Sequence, residues 1–587
     1  MPYETVFRAP LEIDDGQATI SWLNNDKGFQ LDGRNIDVKA KAVHARGGFR
    51  YLQPANDEPW LGILAGISTD DGSQAWRYFP ENLMGKDLVD YLSGAIQGGE
   101  ADNATLVYGG NPQLFPYKHN EGQFEVLVPL RNAKFAFQPD WPALTNLDIE
   151  LDFINDGLWM KTDGVNLGGV RASNLTAVIP DYSKEKLLID ADIKGPGKAV
   201  GPYFDETPLK DSLGATLQEL QLDGDVNARL HLDIPLNGEL VTAKGEVTLR
   251  NNSLFIKPLD STLKNLSGKF SFINSDLQSE PLTASWFNQP LNVDFSTKEG
   301  AKAYQVAVNL NGNWQPAKTG VLPEAVNEAL SGSVAWDGKV GIDLPYHAGA
   351  TYNIELNGDL KNVSSHLPSP LAKPAGEPLA VNVKVDGNLN SFELTGQAGA
   401  DNHFNSRWLL GQKLTLDRAI WAADSKTLPP LPEQSGVELN MPPMNGAEWL
   451  ALFQKGAAES VGGAASFPQH ITLRTPMLSL GNQQWNNLSI VSQPTANGTL
   501  VEAQGREINA TLAMRNNAPW LANIKYLYYN PSVAKTRGDS TPSSPFPTTE
   551  RINFRGWPDA KYDAQSAGSG GKNSVALTVI SPFLAIR

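Results

Sequence analysis

The sequence predicts an all-β protein with a few short helices, arranged as an elongated, twisted, antiparallel sheet of repeating β-groove units. Three observations predict it. Apolar and polar residues alternate strictly in many short runs. Asn-Gly and Asp-Gly pairs fall between those runs. A long stretch also recurs: residues 128–158, VPLRNAKFAFQPDWPALTNLDIELDFINDGL, align without a gap to residues 247–277, VTLRNNSLFIKPLDSTLKNLSGKFSFINSDL, at an offset of 119 with 12 identities in 31 positions. A chain that repeats one strand unit buries its apolar surface between neighbouring units, not around one central pocket.

The strands follow from the alternation. Leu147, Ile149, Leu151 and Phe153 alternate with Asp148, Glu150 and Asp152. Tyr304, Val306, Val308 and Leu310 follow the same rule, as do Tyr352, Ile354 and Leu356, and then Val381, Val383 and Val385. Successive strand side chains point to opposite faces, so one face is apolar and the other wet. The turns agree, at Asp15-Gly16, Asp32-Gly33, Asp156-Gly157, Asp163-Gly164, Asn237-Gly238, Asn311-Gly312, Asp337-Gly338, Asn357-Gly358, Asp386-Gly387 and Asn497-Gly498. Each supplies the positive φ angles of a tight hairpin, and consecutive hairpins mean antiparallel pairing.

Four segments break the pattern and read as short helices: 84–96, 208–221, 321–330 and 446–456. In the first, Met84, Leu88, Leu92 and Ile96 stand four residues apart on one helix face. The spacing of these segments is close to the repeat length, which predicts one helix per unit, packed on the sheet or capping a groove end. The repeat region extends over 1–528. Residues 529–550 are a Pro/Ser/Thr-rich loop, and 551–560 resemble a last strand. The tail at 561–587 loses the Asp/Asn punctuation. One permitted back-translation of its last 22 residues, read one nucleotide off, restores the strand-and-turn pattern and places a stop after Arg587. That predicts an out-of-frame tail, which the nucleotide sequence decides.

Composition narrows the function. Of 587 residues, 41% are apolar and 19% charged, too apolar for disorder. A net charge of −16 argues against nucleic acid, which needs clustered Lys and Arg. There is no cysteine, which excludes disulfides and Cys-ligated zinc or iron–sulfur centres. No apolar run is long enough for a membrane-spanning helix, and the first residues lack the pattern of a signal peptide. The chain opens directly in strand-like sequence and reads as a fragment of a longer one.

The residues offer no catalytic constellation, and the expectation is a protein that is not an enzyme and needs no cofactor or metal. The seven histidines form no helical pair, and no phosphate loop, nucleophile elbow or dinucleotide fingerprint occurs. Asp223-x-Asp225-x-Asn227 begins like a calcium loop, but Ala228 stands where that loop needs glycine. Carboxylates are plentiful at outward strand positions, where solvation explains them. Tyr526, Tyr528 and Tyr529 with Trp520 are an aromatic cluster in which Tyr526 and Tyr528 share one strand face and Tyr529 takes the other, better suited to a core or groove wall than to a flat sugar platform.

Two stretches carry a resemblance: residues 344–378, LPYHAGATYNIELNGDLKNVSSHLPSPLAKPAGEP, and residues 73–93, SQAWRYFPENLMGKDLVDYLS. They resemble the AsmA-like family, and the similarity runs over residues 1–559. The resemblance implies a bridge-type lipid carrier of the cell envelope: a periplasmic β-groove, anchored in the inner membrane in the full-length parent, that shields phospholipid acyl chains on the way to the outer membrane. It implies no catalytic residues. It also implies phospholipids and the two membranes as partners, with protein partners unspecified, and this chain lacks the anchor. The candidate groove lining is Leu147, Ile149, Leu151 and Phe153, their repeat equivalents Leu266, Phe270 and Phe272, and Val306, Val308, Ile354, Leu356 and Val383. Gly268 replaces Ile149 in the second copy. The alternation fits a second reading equally well, a non-enzymatic β-repeat scaffold of the envelope with a closed core.

Overall fold

The computed structural model describes residues 7–9, 12–529, 561–563 and 575–580, except for 139, 209, 211–213, 238, 258–259, 321, 412, 460–464, 467 and 517. The Pro/Ser/Thr-rich segment from 530 onward and the strand expected at 551–560 lie outside the described residues, as does most of the tail. The protein is all-β with a few short helices. It divides into two compact units, residues 1–286 with 292–306 and residues 287–291 with 307–587.

The N-terminal unit is a meander of hairpins. Its strands are β1 (Ile13–Asn25), β2 (Gly28–Ala40), β3 (His44–Pro54), β4 (Trp60–Thr69), β5 (Ile96–Gly110), β6 (Gln123–Phe135), β7 (Leu144–Ile154), β8 (Gly157–Leu167), β9 (Val170–Ile179), β10 (Lys186–Pro196), β11 (Leu220–Asp223), β12 (Asp225–Pro235), β13 (Thr242–Ile256), β14 (Ser261–Ile273), β15 (Asp276–Ser279) and β16 (Leu282–Trp286). From β1 to β10 each strand pairs antiparallel with the next, and β10, β12, β13 and β14 continue the series. β17 (Gln289–Glu299) and β18 (Ala303–Trp314) contribute residues to both units.

The repeat holds at the level of register. Val128 pairs with Leu151 and Leu130 with Ile149, while 119 residues on Val247 pairs with Phe270 and Leu249 with Gly268. Ala133 opposite Leu147 becomes Asn252 opposite Leu266, and the same two register shifts interrupt both hairpins. The cause is local. Asn132, Asn146 and Asn155, and again Asn251, Asn265 and Asn274, all take positive φ between 48° and 56°, a region asparagine tolerates better than other side chains. Asn155 Oδ1 accepts from the Phe124 amide at 3.0 Å, and Asn274 Oδ1 from the Ala243 amide at 2.8 Å. Bulges set this way raise the local twist of the sheet. Asn132→Val and Asn251→Val are each expected to lower stability by about 1–2 kcal/mol, the cost of a left-handed residue, with the glycine variants closer to wild type. Denaturant unfolding checks this.

Helices roof part of this unit. The stretch expected as one helix at 84–96 is two, α1 (Glu81–Met84) and α2 (Lys86–Ala95), because Gly85 at φ 82° breaks it, and Ile96 already belongs to β5. Met84, Leu88, Val89 and Leu92 are buried against Leu147, Ile149, Leu151, Leu158, Met160 and Ile179. Arg8 fastens both helices from outside, bonding to Glu81 and Asp90. The helix expected at 208–221 is replaced by α3 (Val200–Asp205) and the single turn α4 (Ala215–Glu219), and Leu220 starts β11.

The C-terminal unit begins with α5 (Glu324–Asn327), much shorter than the expected 321–330 because Leu330 opens the strand β19 (Leu330–Gly332). There follow β20 (Val334–Pro345), β21 (Thr351–Asp359), β22 (Val363–Ser365), β23 (Ala380–Asn388), β24 (Ser391–Ala398), β25 (Asn402–Leu409) and β26 (Leu414–Ala423). β20, β21, β23, β24, β25 and β26 pair antiparallel in that order. Next come β27 (Gly436–Asn440), β28 (Met444–Asn445), α6 (Gly446–Glu459), β29 (Ala465–Ser466), β30 (Ile471–Leu480), β31 (Gln483–Thr495), β32 (Gly498–Gln504), β33 (Ile508–Arg515) and β34 (Trp520–Leu527). β35 (Lys561–Asp563) and β36 (Val575–Ile580) are in the tail, and β36 pairs with β34.

The expectation of a purely antiparallel sheet fails at one place. β26 pairs parallel with β27, and β27 parallel with β30. Between β27 and β30 the chain returns through α6, a crossover that parallel strands require and a hairpin does not. A small core, with Met441, Met444, Leu478 and Leu488 buried, fills the space beneath it.

Candidate functional site

The register of the C-terminal unit separates two chemistries onto two faces. Cross-strand rows run over β20, β21, β23 and β24. Two are apolar: Val340, Ile354, Val385 and Leu394 make one, and Ile342, Tyr352, Gly387 and Phe392 another. A third row, Gly338, Leu356, Val383 and Gly396, continues into Phe404 and Trp421. The adjoining positions on the other face, such as Lys339, Glu355, Lys384 and Thr395, are polar. Lys384 and Glu355 pair there at 3.5 Å.

The apolar face is not a packed core. None of Val340, Ile342, Tyr352, Ile354, Leu356, Val383, Val385, Phe392 or Leu394 is buried; each is half-buried, as Phe153, Phe270, Phe272 and Val308 also are. With strands about 4.8 Å apart, a row crossing these strands is on the order of 20 Å long. Aromatic pairs flank this face at two different rows: Phe392 and Trp408, in the Ile342 row, stack at 6.0 Å and 12°, and Trp336, in the Gly358 and Val381 row, packs against Trp314 at 4.8 Å. α5 and α6 pack against each other: Lys455 of α6 pairs with Glu328, just past α5, at 3.1 Å, and Trp449 donates to the Ser369 carbonyl at 3.0 Å.

Glycines on this face make room for large neighbours. A Cβ on Gly396 would lie 1.9 Å from the Phe404 ring, so that ring lies flat across the glycine. Leu356 covers Gly338 the same way, as Phe49 covers Gly33 in the N-terminal unit. Gly396→Val is expected to expel Phe404 at a cost of about 1–3 kcal/mol. Adding Phe404→Ala should recover part of that loss, and a double-mutant cycle on denaturant midpoints checks the coupling.

The twelve residues proposed from sequence fall in different environments. Leu147, Ile149 and Leu151 are 1%, 6% and 2% exposed, sealed under α2. Phe153 is half-buried against the same core, 6.3 Å from Phe79. Leu266 and Val306 are buried. Phe270, Phe272 and Val308 are half-buried, with Phe270 5.6 Å from Phe295 and Phe272 over Gly245. Ile354, Leu356 and Val383 come together on the half-exposed face of the C-terminal unit. Phe404 and Trp408 were missed; their alternation in HFNSRWL is interrupted by Ser406, whose Oγ accepts from Trp408 Nε1 at 3.0 Å.

A second half-exposed apolar patch lies on β1–β4, where Leu31, Tyr51 and Leu61 follow one row and Phe49 and Ile63 the next. β1 is exposed throughout, with Trp22 at 71%. The opposite face carries ion pairs. Arg50 bonds Asp32 at 2.7 Å and, with Gln30, holds that carboxyl below its usual range. His44 and Arg46 do the same for Asp37.

Among the described residues no group of three or more His, Asp or Glu side chains is placed to hold a metal ion. The Asp223–Asp225 turn is tied by Asn252, whose Nδ2 donates to both of their backbone carbonyls at 3.0 and 3.1 Å. Among the described residues no helix is long and apolar enough to cross a membrane. The fold and its faces define an amphipathic β-sheet protein with repeated hairpin units. Residues 1–579 match the family model described as YhdP protein, and the chain belongs to that family. No solved structure matches the chain.

Proposed function

We propose that the chain is a non-enzymatic lipid-transport segment of the cell envelope, whose apolar sheet face shields phospholipid acyl chains in the periplasm between the inner and outer membranes. The observation that carries this reading is the half-exposed face around Ile354, Leu356 and Val383. Family membership and the large sheet are both consistent with it. The physical advantage is large: each exposed methylene costs about 0.8 kcal/mol, so a chain of about 16 carbons costs about 13 kcal/mol in water. A face made of equivalent rows removes that cost without one tight site, so a chain slides while its head group stays wet.

The scaffold reading is favoured by one specific observation, the closed core of the N-terminal unit, where Leu158, Leu187 and Ile179 are fully buried by their own neighbours. Extraction of the purified protein followed by mass spectrometry of the extract separates the two. A carrier retains phospholipid. A scaffold yields none above the level of a control protein of the same charge.

A further inference from the structure

The polar face of β20–β24 holds a second concavity. One row across the four strands is Asp337, Asn357, Asn382 and Gln397. The neighbouring row is Ala335, Asp359 and Ala380, ending at Gly399, whose amide donates to the Ala380 carbonyl at 2.8 Å. Three of these four positions have little or no side chain, and beside the amides they leave an open cavity of about 520 Å³. That volume lies in the range of small-molecule sites.

The hydrogen bonds inside the row run in one direction. Asn382 Nδ2 donates to Asn357 Oδ1 at 2.7 Å, and Asn357 Nδ2 donates to Asp337 Oδ2 at 3.3 Å. Gln397 Nε2 donates to the Gly399 carbonyl at 2.9 Å. Asn382 Oδ1 and Gln397 Oε1 are thus acceptors without a protein partner among the described residues. The lining has no Lys, Arg or His, which disfavours an anion. A hard cation takes at least six oxygen ligands, and one of the two carboxylates is committed: Asp359 Oδ1 accepts from the Lys361 amide at 2.9 Å and the Leu379 amide at 3.0 Å. Asn382 Nδ2 donates also to Glu355 Oε1, at 3.3 Å. What remains is a row rich in acceptors, the Asn382 and Gln397 amide oxygens and the Asp337 carboxylate, with the second amide hydrogens of Asn357 and Gln397 as donors, a set that suits vicinal hydroxyls, each of which both donates and accepts.

We propose that this cavity is a binding site for a neutral oligosaccharide, on the face opposite the acyl-chain trough. The site uses none of the trough residues, so it stands or falls independently of lipid carriage. The test is saturation-transfer NMR on the full chain with chitotriose and, separately, maltotriose as probes. The expected result is transfer to at least one of them. Asn382→Ala should weaken binding at least tenfold, and Ala380→Trp, which fills the small-residue row, should abolish it. Ala380 is exposed, so Ala380→Trp should keep the wild-type melting curve; Asn382 is half-buried and bonds Asn357 and Glu355, so Asn382→Ala should lower the melting midpoint only slightly. Three results would overturn the proposal: no transfer to either sugar, transfer unchanged in both variants, or displacement of the bound sugar by calcium ions alone.

Discussion

Leu158→Asp is expected to prevent the N-terminal unit from folding. Leu158 is fully buried, paired with Phe153 and Ile179 on its neighbouring strands, in the core roofed by α1 and α2. Removing the side chain alone costs about 2–5 kcal/mol, and Leu158→Ala should show that loss in denaturant unfolding. The aspartate adds an unpaired charge where water cannot follow, for several kcal/mol more. The sum approaches the whole stability of a typical domain, about 5–15 kcal/mol. Hydrogen exchange should show loss of protection over β5–β10 and retention over β20–β26. An aspartate at Phe153 belongs to the same class, because that ring packs on Phe79; it reports on folding before it reports on lipid.

The Ile354→Asp, Val383→Asp double variant is expected to do the opposite, to spare the fold and remove the lipid. Both side chains are half-exposed, on adjacent strands but not directly opposite, so neither charge is sealed from water nor set face to face with the other. Stability should fall by no more than about 1–2 kcal/mol, as for substitutions outside a packed core. A hydrocarbon chain laid on that face must instead desolvate two carboxylates. Each costs more than about 1.4 kcal/mol, the equivalent of a tenfold loss of affinity. Phospholipid recovered per mole of protein should therefore drop at least tenfold with an unchanged melting curve. An equal lipid yield would show that acyl chains do not lie along these rows.

The contrast between these variants shows how far the residues alone reached. Leu147, Leu151, Ile354 and Val383 all sit in the same alternating pattern, and the pattern does state which face is apolar. It does not state what covers that face. Leu147 and Leu151 are sealed because α2, some 50 residues earlier in the chain, lies across them, whereas Ile354 and Val383 are only half-buried among the described residues. Burial of this kind is decided by partners distant in sequence.

The repeat was legible to a finer level than the strands. Asn132, Asn146 and Asn155 recur at 251, 265 and 274, and each is a left-handed residue, so the identities mark the bulges that fix register. The helices were legible as interruptions but not in extent, since Gly85 and Leu330 end them for reasons of backbone conformation and strand pairing. The parallel step at β27 and β30 was not foreseen, because a crossover has no local mark. The expected Asn-Gly and Asp-Gly turns were mostly wrong as well: the pairs at 15–16, 32–33, 163–164, 311–312, 337–338, 357–358 and 386–387 lie inside strands, and among the described residues those at 156–157 and 497–498 fall at hairpin turns.

The central claim is that hydrocarbon occupies the half-exposed face of the C-terminal unit and not the sealed core of the N-terminal one. Photo-crosslinking tests it most directly, with benzoylphenylalanine placed singly at Leu356 and at Met160 in the full chain expressed in cells, and the adducts identified by mass spectrometry. The account predicts phospholipid adducts at Leu356 and none at Met160. Protein-only adducts at Leu356, in a variant that melts like wild type, would contradict it.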